Sequence, residues 1–265
     1  MEFIGYIASV FIGISLGLIG GGGSILTVPV LVYLFFVDAV SATAYSLFIV
    51  GLTSAVGSYD YFKNGLVNVK TAVIFGIPSI IAVFLTRAYI VPAIPKEIFS
   101  IGNFVVTKSI LILVIFALLM IAASYSMIKK GNGISHESEN GRSFNYPLII
   151  MEGLVVGALT GLVGAGGGFL IIPALVVLSK LPMKEAVGTS LVIIALKSLI
   201  GFMGESSETI MNWQLLLSVS AFAIAGLYIG VKLSKKIDGA KLKPAFGWFI
   251  LVMGIYIIIK ETIIK

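Results

Sequence analysis

The 265-residue chain contains no cysteine and a single histidine, and each shortage removes a class of chemistry. Without cysteine there are no disulfide bonds, thiolate metal sites or cysteine nucleophiles. His136 lies in the polar stretch KKGNGISHESENGR, where we expect a solvated loop residue. The apolar segments hold no Ser/His/Asp set, metal-ligating cluster or paired carboxylates. The sequence therefore favours a protein that is not an enzyme and that needs neither a metal nor another cofactor.

Charged residues are also scarce, at 11% of the chain against 58% hydrophobic residues. A soluble domain carries roughly 25% charged residues. Apolar runs close to the ~20 residues that cross a bilayer recur along the chain, for example at 105–127 and 245–259. This composition predicts an all-α polytopic membrane protein. Its net charge of +6 then reflects membrane topology rather than nucleic-acid binding.

The chain contains an internal duplication, because residues 13–58 match residues 157–202 without gaps. The clearest match joins GLIGGGGSILTVP, starting at Gly17, to GLVGAGGGFLIIP, starting at Gly161. Glycine and proline in register are hard to obtain by chance in apolar sequence. We therefore divide the chain into a first repeat (1–128), a linker (129–145) and a second repeat (146–265). Residues 144 positions apart in the two repeats are called equivalent below.

Each repeat shows the same order of five apolar segments. They are residues 3–19, 25–37, 45–62, 71–90 and 105–127 in the first repeat, and 146–163, 169–178, 185–203, 213–231 and 245–259 in the second. The segment after each glycine cluster is too short to span, since 13 helical residues cover about 20 Å of a core roughly 30 Å thick. Each repeat is predicted to form a glycine-broken re-entrant helical hairpin plus three transmembrane helices, or about eight transmembrane segments in all.

The distribution of positive charge predicts how these hairpins are inserted. If each hairpin enters and leaves on one side, twelve basic residues collect on the cytoplasmic face and five outside. The outer side then holds Arg87, Lys108 and Glu205, the linker is cytoplasmic, and both termini are extracytoplasmic. Each repeat makes an odd number of crossings, so the second repeat begins on the opposite side from the first. The sequence thus predicts two inverted-topology repeats, an arrangement common in secondary transporters.

The glycine clusters themselves are the main candidate site. They comprise Gly20, Gly21, Gly22, Gly23 and Ser24 in the first repeat, and Gly164, Gly166, Gly167 and Gly168 in the second. A nucleotide-binding loop is excluded, because no Gly-Lys-Ser/Thr follows and no strand precedes. One interpretation is helix packing through small-xxx-small pairs such as Gly13–Gly17. The other is an anion site, in which two half-helix N-termini expose free N–H groups and positive dipole ends, with Ser24 capping its helix.

Several side chains are candidates to complete an anion site. Lys197 lies within a membrane segment, where it either attracts an anion or extends to the interface. Its equivalent residue is Thr53, so the repeat does not require the charge. Hydroxyl groups that either donate to the anion or bond within their own helices follow each hairpin, at Tyr45, Ser46, Thr189 and Ser190. Asp60 and Glu152 are the candidates for proton coupling, and interfacial placement without a function is the alternative.

The duplicated motif resembles the TauE/SafE family of sulfite and organosulfonate exporters. The resemblance rests on the two glycine clusters and on AYSLF (44–48) and GTSLV (188–192), which follow them. It extends to NGLVNVKTAVIFGIP, MNWQLLLSVSAFAIAG and the terminal KLKPAFGWFILVMGIYIII, and covers nearly the whole chain. The resemblance implies a polytopic plasma-membrane permease for small anions such as sulfite or sulfoacetate. It also implies that the site lies at the glycine clusters and the polar residues just after them.

The sequence therefore predicts a secondary transporter, exporting small sulfur-containing anions bound near the midplane between two half-helix N-termini. A passive anion channel with the same site chemistry and a non-transporting membrane scaffold remain the alternatives. The expected partners are the small anion and the lipid bilayer, and the spaced glycines also permit a homodimer.

Overall fold

The computed structural model describes residues 2–101, 104–128, 146–177, 179, 181–205, 211–234 and 239–262. The elements of the first repeat are α1 (Glu2–Ile19), a 3₁₀ turn (Gly21–Gly23), α2 (Ser24–Tyr33), α3 (Ala39–Lys63), α4 (Val69–Leu85), a π-helical turn (Thr86–Ile90), α5 (Val91–Ala93), β1 (Glu97–Ile101), β2 (Phe104–Thr107) and α6 (Lys108–Ile128). Those of the second are α7 (Tyr146–Val163), α8 (Gly168–Val177), α9 (Met183–Met203), α10 (Trp213–Ser234) and α11 (Gly239–Thr262). The predicted linker, 129–145, lies outside the described residues.

The helical membrane character predicted from the composition is confirmed. Within the described ranges, five helices are long and apolar enough to cross a membrane: Ala39–Lys63, Val69–Ala93, Lys108–Tyr125, Met183–Met203 and Trp213–Leu233. Phe3–Ile19, Ser24–Tyr33 and Pro147–Val163 are shorter apolar helices. The count of about eight crossings and the inverted topology stay predictions.

A short β-hairpin precedes α6 in the otherwise helical fold. Strands β1 and β2 pair antiparallel, and Phe104 lies opposite Ile101. The helix predicted over 105–127 therefore begins only at Lys108, whose N–H donates to the carbonyl of Lys96 at 3.0 Å. The β-branched residues that precede Lys108 favour an extended backbone. Their hydrophobicity made them indistinguishable in sequence from the start of the helix.

Side-chain caps explain where α3 and α4 begin. The carboxylate of Asp38 accepts hydrogen bonds from the N–H groups of Val40 at 2.9 Å and Ser41 at 3.3 Å. Helix α3 consequently starts at Ala39, two turns before the predicted start at residue 45. The side chain of Asn68 caps α4 in the same way.

Equivalent helices make equivalent contacts. Helix α1 packs along α10, and its equivalent α7 packs along α4, while α3 packs on α9 and α6 on α11. The small-xxx-small glycines lie in these contacts. A Cβ on Gly13 would overlap the carbonyl oxygen of Ala223, and one on Gly157 would overlap that of Ser79, the residue equivalent to Ala223. Because these glycines pack within the chain, they lend no support to a homodimer.

We predict that Gly13→Ala and Gly157→Ala each lower the free energy of unfolding by about 1–3 kcal/mol, since the added methyl group forces the two backbones apart. Thermal unfolding of the purified protein in detergent would measure the loss. Gly76→Ala is the matched control, because a Cβ there would meet nothing closer than the Cγ1 of Ile193 at 3.8 Å. Unchanged melting temperatures for both test variants would contradict the close helix contacts.

Candidate functional site

The two glycine clusters, predicted from sequence to be separate halves of one site, lie in direct contact. A Cβ on Gly21 would overlap the Cα of Gly168, and the reverse substitution would produce the same overlap. Such an approach of two backbones is possible only between residues without side chains. The contact joins the 3₁₀ turn before α2 to the first residue of α8, deep among buried residues. The first turns of both half-helices are thereby brought together.

Both clusters begin with the same helix termination. Gly20 (φ +79°) and its equivalent Gly164 (φ +68°) adopt the left-handed conformation. Their N–H groups donate to the carbonyls of Leu16 at 2.8 Å and Thr160 at 2.9 Å, which closes α1 and α7. The backbone then differs, because Gly166 (φ +63°) and Gly167 (φ +75°) are also left-handed whereas 21–23 form a 3₁₀ turn. The second cluster is therefore not a copy of the first in conformation.

The second cluster leaves backbone donors unused. The N–H groups of Leu170 and Ile171 both donate to the carbonyl of Gly167, at 3.0 Å each. No acceptor is found in the described part of the chain for the N–H groups of Ala165, Gly166 and Gly168, all of which are buried. Buried N–H groups without partners are rare in proteins. Three of them at the N-terminus of α8 are suited to bind an anion.

Ser24 does not cap α2, contrary to expectation. The N-cap residue is Gly23, which makes no side-chain hydrogen bond to the helix. The Ser24 hydroxyl instead donates to the carbonyl of Gly21 at 2.7 Å. As the first residue of α2 rather than the residue before it, Ser24 has its hydroxyl directed back along the 3₁₀ turn. Its role in a substrate site stays a prediction.

Lys197 lies beside the second glycine cluster and is completely buried. Its Nζ donates to the hydroxyl of Thr160 at 2.8 Å. A Cβ on Gly167 would lie 2.6 Å from the same Nζ, so glycine is needed there for the ammonium to approach the backbone. With 0% of its surface exposed, Lys197 does not extend to an interface in the manner of the snorkelling alternative. The helix ending of α7, the N-terminus of α8 and the amine of Lys197 thus meet at one place.

Thr160 was missed by the sequence analysis. Its hydroxyl donates to the carbonyl of Val156 at 2.7 Å and accepts from Lys197, which links α7 to α9. Its equivalent in the first repeat is Leu16, just as the equivalent of Lys197 is Thr53. The sequence did contain a signal for this pair. The second repeat has a hydroxyl and an amine at these positions, where the first repeat has an apolar side chain and an uncharged one.

Tyr45 and Thr189 are equivalent residues, and each joins one repeat to the other. The hydroxyl of Tyr45 accepts from the N–H of Asn212 at 2.6 Å. The hydroxyl of Thr189 accepts from the N–H of Asn68, the equivalent of Asn212, at 2.9 Å. Both lie about two turns inside their helices rather than at the start. These hydrogen bonds hold loop backbone at the two ends of the α3–α9 pair, which is a structural role.

The serine candidates behave differently from one another. Ser190 donates to the carbonyl of Val187 at 2.8 Å, within its own helix. Among the described residues, the buried hydroxyl of Ser46 has no hydrogen-bond partner. The same holds for Ser54 and Ser198, which are equivalent residues on the packed helices α3 and α9. Three buried hydroxyls on this packed pair of helices are therefore without a hydrogen-bond partner among the described residues.

The two carboxylates considered for proton coupling are not part of this cluster. Asp60 is exposed near the end of α3, and Glu152 is half-buried on α7. Glu152 precedes Thr160 by eight residues, or about 12 Å along the helix axis. Among the described residues, no group of three or more His, Cys, Asp or Glu side chains could hold a metal ion. The site is therefore built from backbone donors, hydroxyl groups and one lysine.

A separate cavity of about 660 Å³ lies between α1, α2 and α11. Phe11, Leu18, Val30 and Met253 are among the residues that line it, and its walls are almost entirely apolar. The described residues that line this cavity include no lysine or arginine that could bind an anion. The cavity does not compete with the glycine clusters as the anion site.

Comparison with known proteins identifies the family of the chain. The model of the family described as "Sulfite exporter TauE/SafE" matches residues 6–257. A "Probable membrane transporter protein" of Xylella fastidiosa strain Temecula1 is 28% identical over 252 residues, covering 93% of this chain and 91% of the relative. The "Probable membrane transporter protein YunE" of Bacillus subtilis is 29% identical over 255 residues, covering 91% of each. No solved structure matches. The chain belongs to the TauE/SafE family, which confirms the resemblance.

We predict that Tyr45→Phe and Thr189→Val each destabilise the protein by about 1–3 kcal/mol, because each leaves a backbone N–H of Asn212 or Asn68 without its acceptor. Unfolding in detergent, followed by circular dichroism, would measure both. Ser190→Ala is the control, since its hydroxyl bonds only within its own helix, and we expect a change within about 0.5 kcal/mol. Equal stability of all three variants with the unmodified protein would contradict the structural role.

Proposed function

We propose that this member of the TauE/SafE family is a secondary transporter that exports small anions, with sulfite, organosulfonates or related sulfur compounds as its substrates. The observation that carries the proposal is the meeting of Lys197, the unused N–H groups of the second glycine cluster and the first glycine cluster at one buried place. The names of its relatives, all described as probable membrane transporters, support transport as the activity. The family description supports sulfur-containing anions as the cargo.

The chemistry of the site suits an anion for three additive reasons. A helix N-terminus carries roughly half a positive charge, and unpaired N–H groups there donate to oxyanions. The Lys197 Nζ supplies a full charge when protonated, and the buried hydroxyls of Ser46, Ser54 and Ser198 supply further donors. Because water is excluded from this environment, each of these interactions is stronger than it would be in solution.

Contacts between the repeats support the proposal of inverted topology. Tyr45 near the start of α3 bonds to Asn212 after the end of α9, and Thr189 near the start of α9 bonds to Asn68 after the end of α3. Two equivalent helices packed in this way run antiparallel, as an inverted repeat requires. The 3.0 Å ion pair between Arg87 and Glu205 also joins the two ends assigned to the outer side. We accordingly propose a plasma-membrane protein with both termini outside and a cytoplasmic linker at 129–145.

Anion flux into proteoliposomes tests the function. The panel is sulfite, sulfate, thiosulfate, sulfoacetate, methanesulfonate and acetate. We expect saturable flux of at least one sulfur-containing anion and a fall of tenfold or more in Lys197→Met, because loss of a buried charge–charge contact exceeds about 1.4 kcal/mol. Lys63→Met makes the same change at an exposed lysine and leaves flux unaltered.

The outcomes of this assay separate the alternatives. A current without saturation that follows the membrane potential would favour a passive channel. No flux of any anion in the panel would contradict transport and leave the scaffold alternative. Normal flux in Lys197→Met would remove that side chain from the site.

The absence of cysteine makes the topology directly testable. We predict that a single cysteine introduced at Ser143 in the linker reacts with a membrane-impermeant maleimide only from the cytoplasmic side. A cysteine at Pro95, after the outer end of α4, is expected to react only from outside. Labelling intact cells and inverted vesicles distinguishes the two faces. Reaction of the Ser143 variant in intact cells would contradict the proposed topology.

A further inference from the structure

Lys197 is a buried amine whose protonated form would have no counter-charge among the described residues. Its Nζ has one described hydrogen-bond partner, the neutral hydroxyl of Thr160. The ion pair found among the described residues, Arg87–Glu205, does not involve it. Its position in the middle of α9, with 0% of its surface exposed, also removes water as the compensating partner. An ammonium group in this position would lose its hydrating water and gain only one hydrogen bond in exchange.

The surrounding helices bring no carboxylate to Lys197. The titratable side chains described on α9 and the helices packed around it are Tyr45, Tyr59, Asp60, Tyr61 and Lys63 on α3, Lys70, Arg87 and Tyr89 on α4 and its π turn, Glu152 on α7, and Lys184 and Glu185 on α9 itself. None of these hydrogen-bonds to Lys197 or forms an ion pair with it. Helix α8 and the 3₁₀ turn carry no titratable residue at all.

A charge buried in this way is tolerated only if it is removed or paired. The lysine side chain can do either, since it can release its proton, whereas arginine cannot. An anion bound at the second glycine cluster would supply the missing negative charge next to Nζ. Anion binding and protonation then favour each other, and the coupling is reciprocal by linkage.

We propose that Lys197 is the coupling proton carrier: its Nζ is a neutral amine in the empty site and takes up one proton together with each anion. This inference rests on the proposed function and adds the coupling ion to it. The proton enters with the anion onto the lone pair of Nζ and leaves when the anion leaves. The anion thereby crosses together with one proton, which is equivalent to transport of its conjugate acid. The carboxylates of Asp60 and Glu152 are then not needed to carry the proton.

The asymmetry of the repeats limits the coupling to one proton. The residues equivalent to Lys197 and Thr160 are Thr53 and Leu16, neither of which binds a proton near neutral pH. Thr53 donates to the carbonyl of Ile49 at 2.7 Å within its own helix. With one proton for each singly charged anion, transport carries no net charge. Export then depends on the anion gradient and the pH difference, and not on the membrane potential.

The test uses the full chain in proteoliposomes that contain a pH-sensitive dye, with methanesulfonate and thiosulfate as probes that stay fully ionised near neutral pH. The potential is clamped with potassium and valinomycin. We expect uptake of methanesulfonate to acidify the lumen by one proton for each anion, at a rate that the potential does not alter. Lys197→Arg keeps a permanent cation, so we expect it to retain anion uptake, lose the acidification and acquire dependence on the potential. Lys63→Met serves as the matched control and behaves as the unmodified protein.

The possible results separate this inference from the proposed function. Uptake of either probe by the unmodified protein without acidification overturns proton coupling and leaves anion transport intact. Acidification that survives in Lys197→Arg but is lost in Asp60→Asn or Glu152→Gln assigns the proton to a carboxylate, and also overturns it. If neither probe is transported, the inference is overturned. The proposed function is overturned as well only if no other anion of the panel is transported.

Discussion

The contact between Gly21 and Gly168 is the constraint on which the rest of the site depends. Two broken helices can expose N–H groups inside a membrane protein only if protein surrounds those groups, because lipid offers no hydrogen bonds. The two clusters enclose each other by bringing backbone against backbone, which any side chain at either position would prevent. The glycine pairs of α1 and α7 extend the same principle outward, since they hold α10 and α4 close behind the broken helices.

The two repeats are alike in the hydrogen bonds that join them, but they differ in the charged residue beside the glycine clusters. Tyr45 and Thr189 make the same hydrogen bond in the two repeats, although one is a phenol and the other an aliphatic alcohol. At the glycine clusters the repeats diverge, because the lysine and its threonine partner occur only in the second. In the proposed anion site, the charge would come from the second repeat alone, and the first repeat would contribute backbone and hydroxyl groups.

Much of this organisation could be predicted from the sequence, and the parts that could not have identifiable causes. The predicted ends of α1 and α7 at residues 19 and 163 are correct, because glycine after an apolar run is a strong stop signal. The predicted start of α3 is wrong because the segment was bounded by its apolar residues, and the cap formed by Asp38 was not considered. The hairpin before α6 was missed because Val105 and Val106 are as hydrophobic as the helix that follows. Lys197 was identified as unusual from its position alone, but its partner Thr160 was not.

The sequence by itself determined the duplication, the apolar segments and the points at which the helices break, since glycine, proline and hydrophobicity act locally. Only the tertiary structure decided that the two breaks touch, that Lys197 bonds to Thr160 and that Tyr45 and Thr189 join the two repeats. These outcomes depend on which helix faces meet. Helix faces meet according to the packing of residues far apart in the chain, and no local pattern specifies that packing.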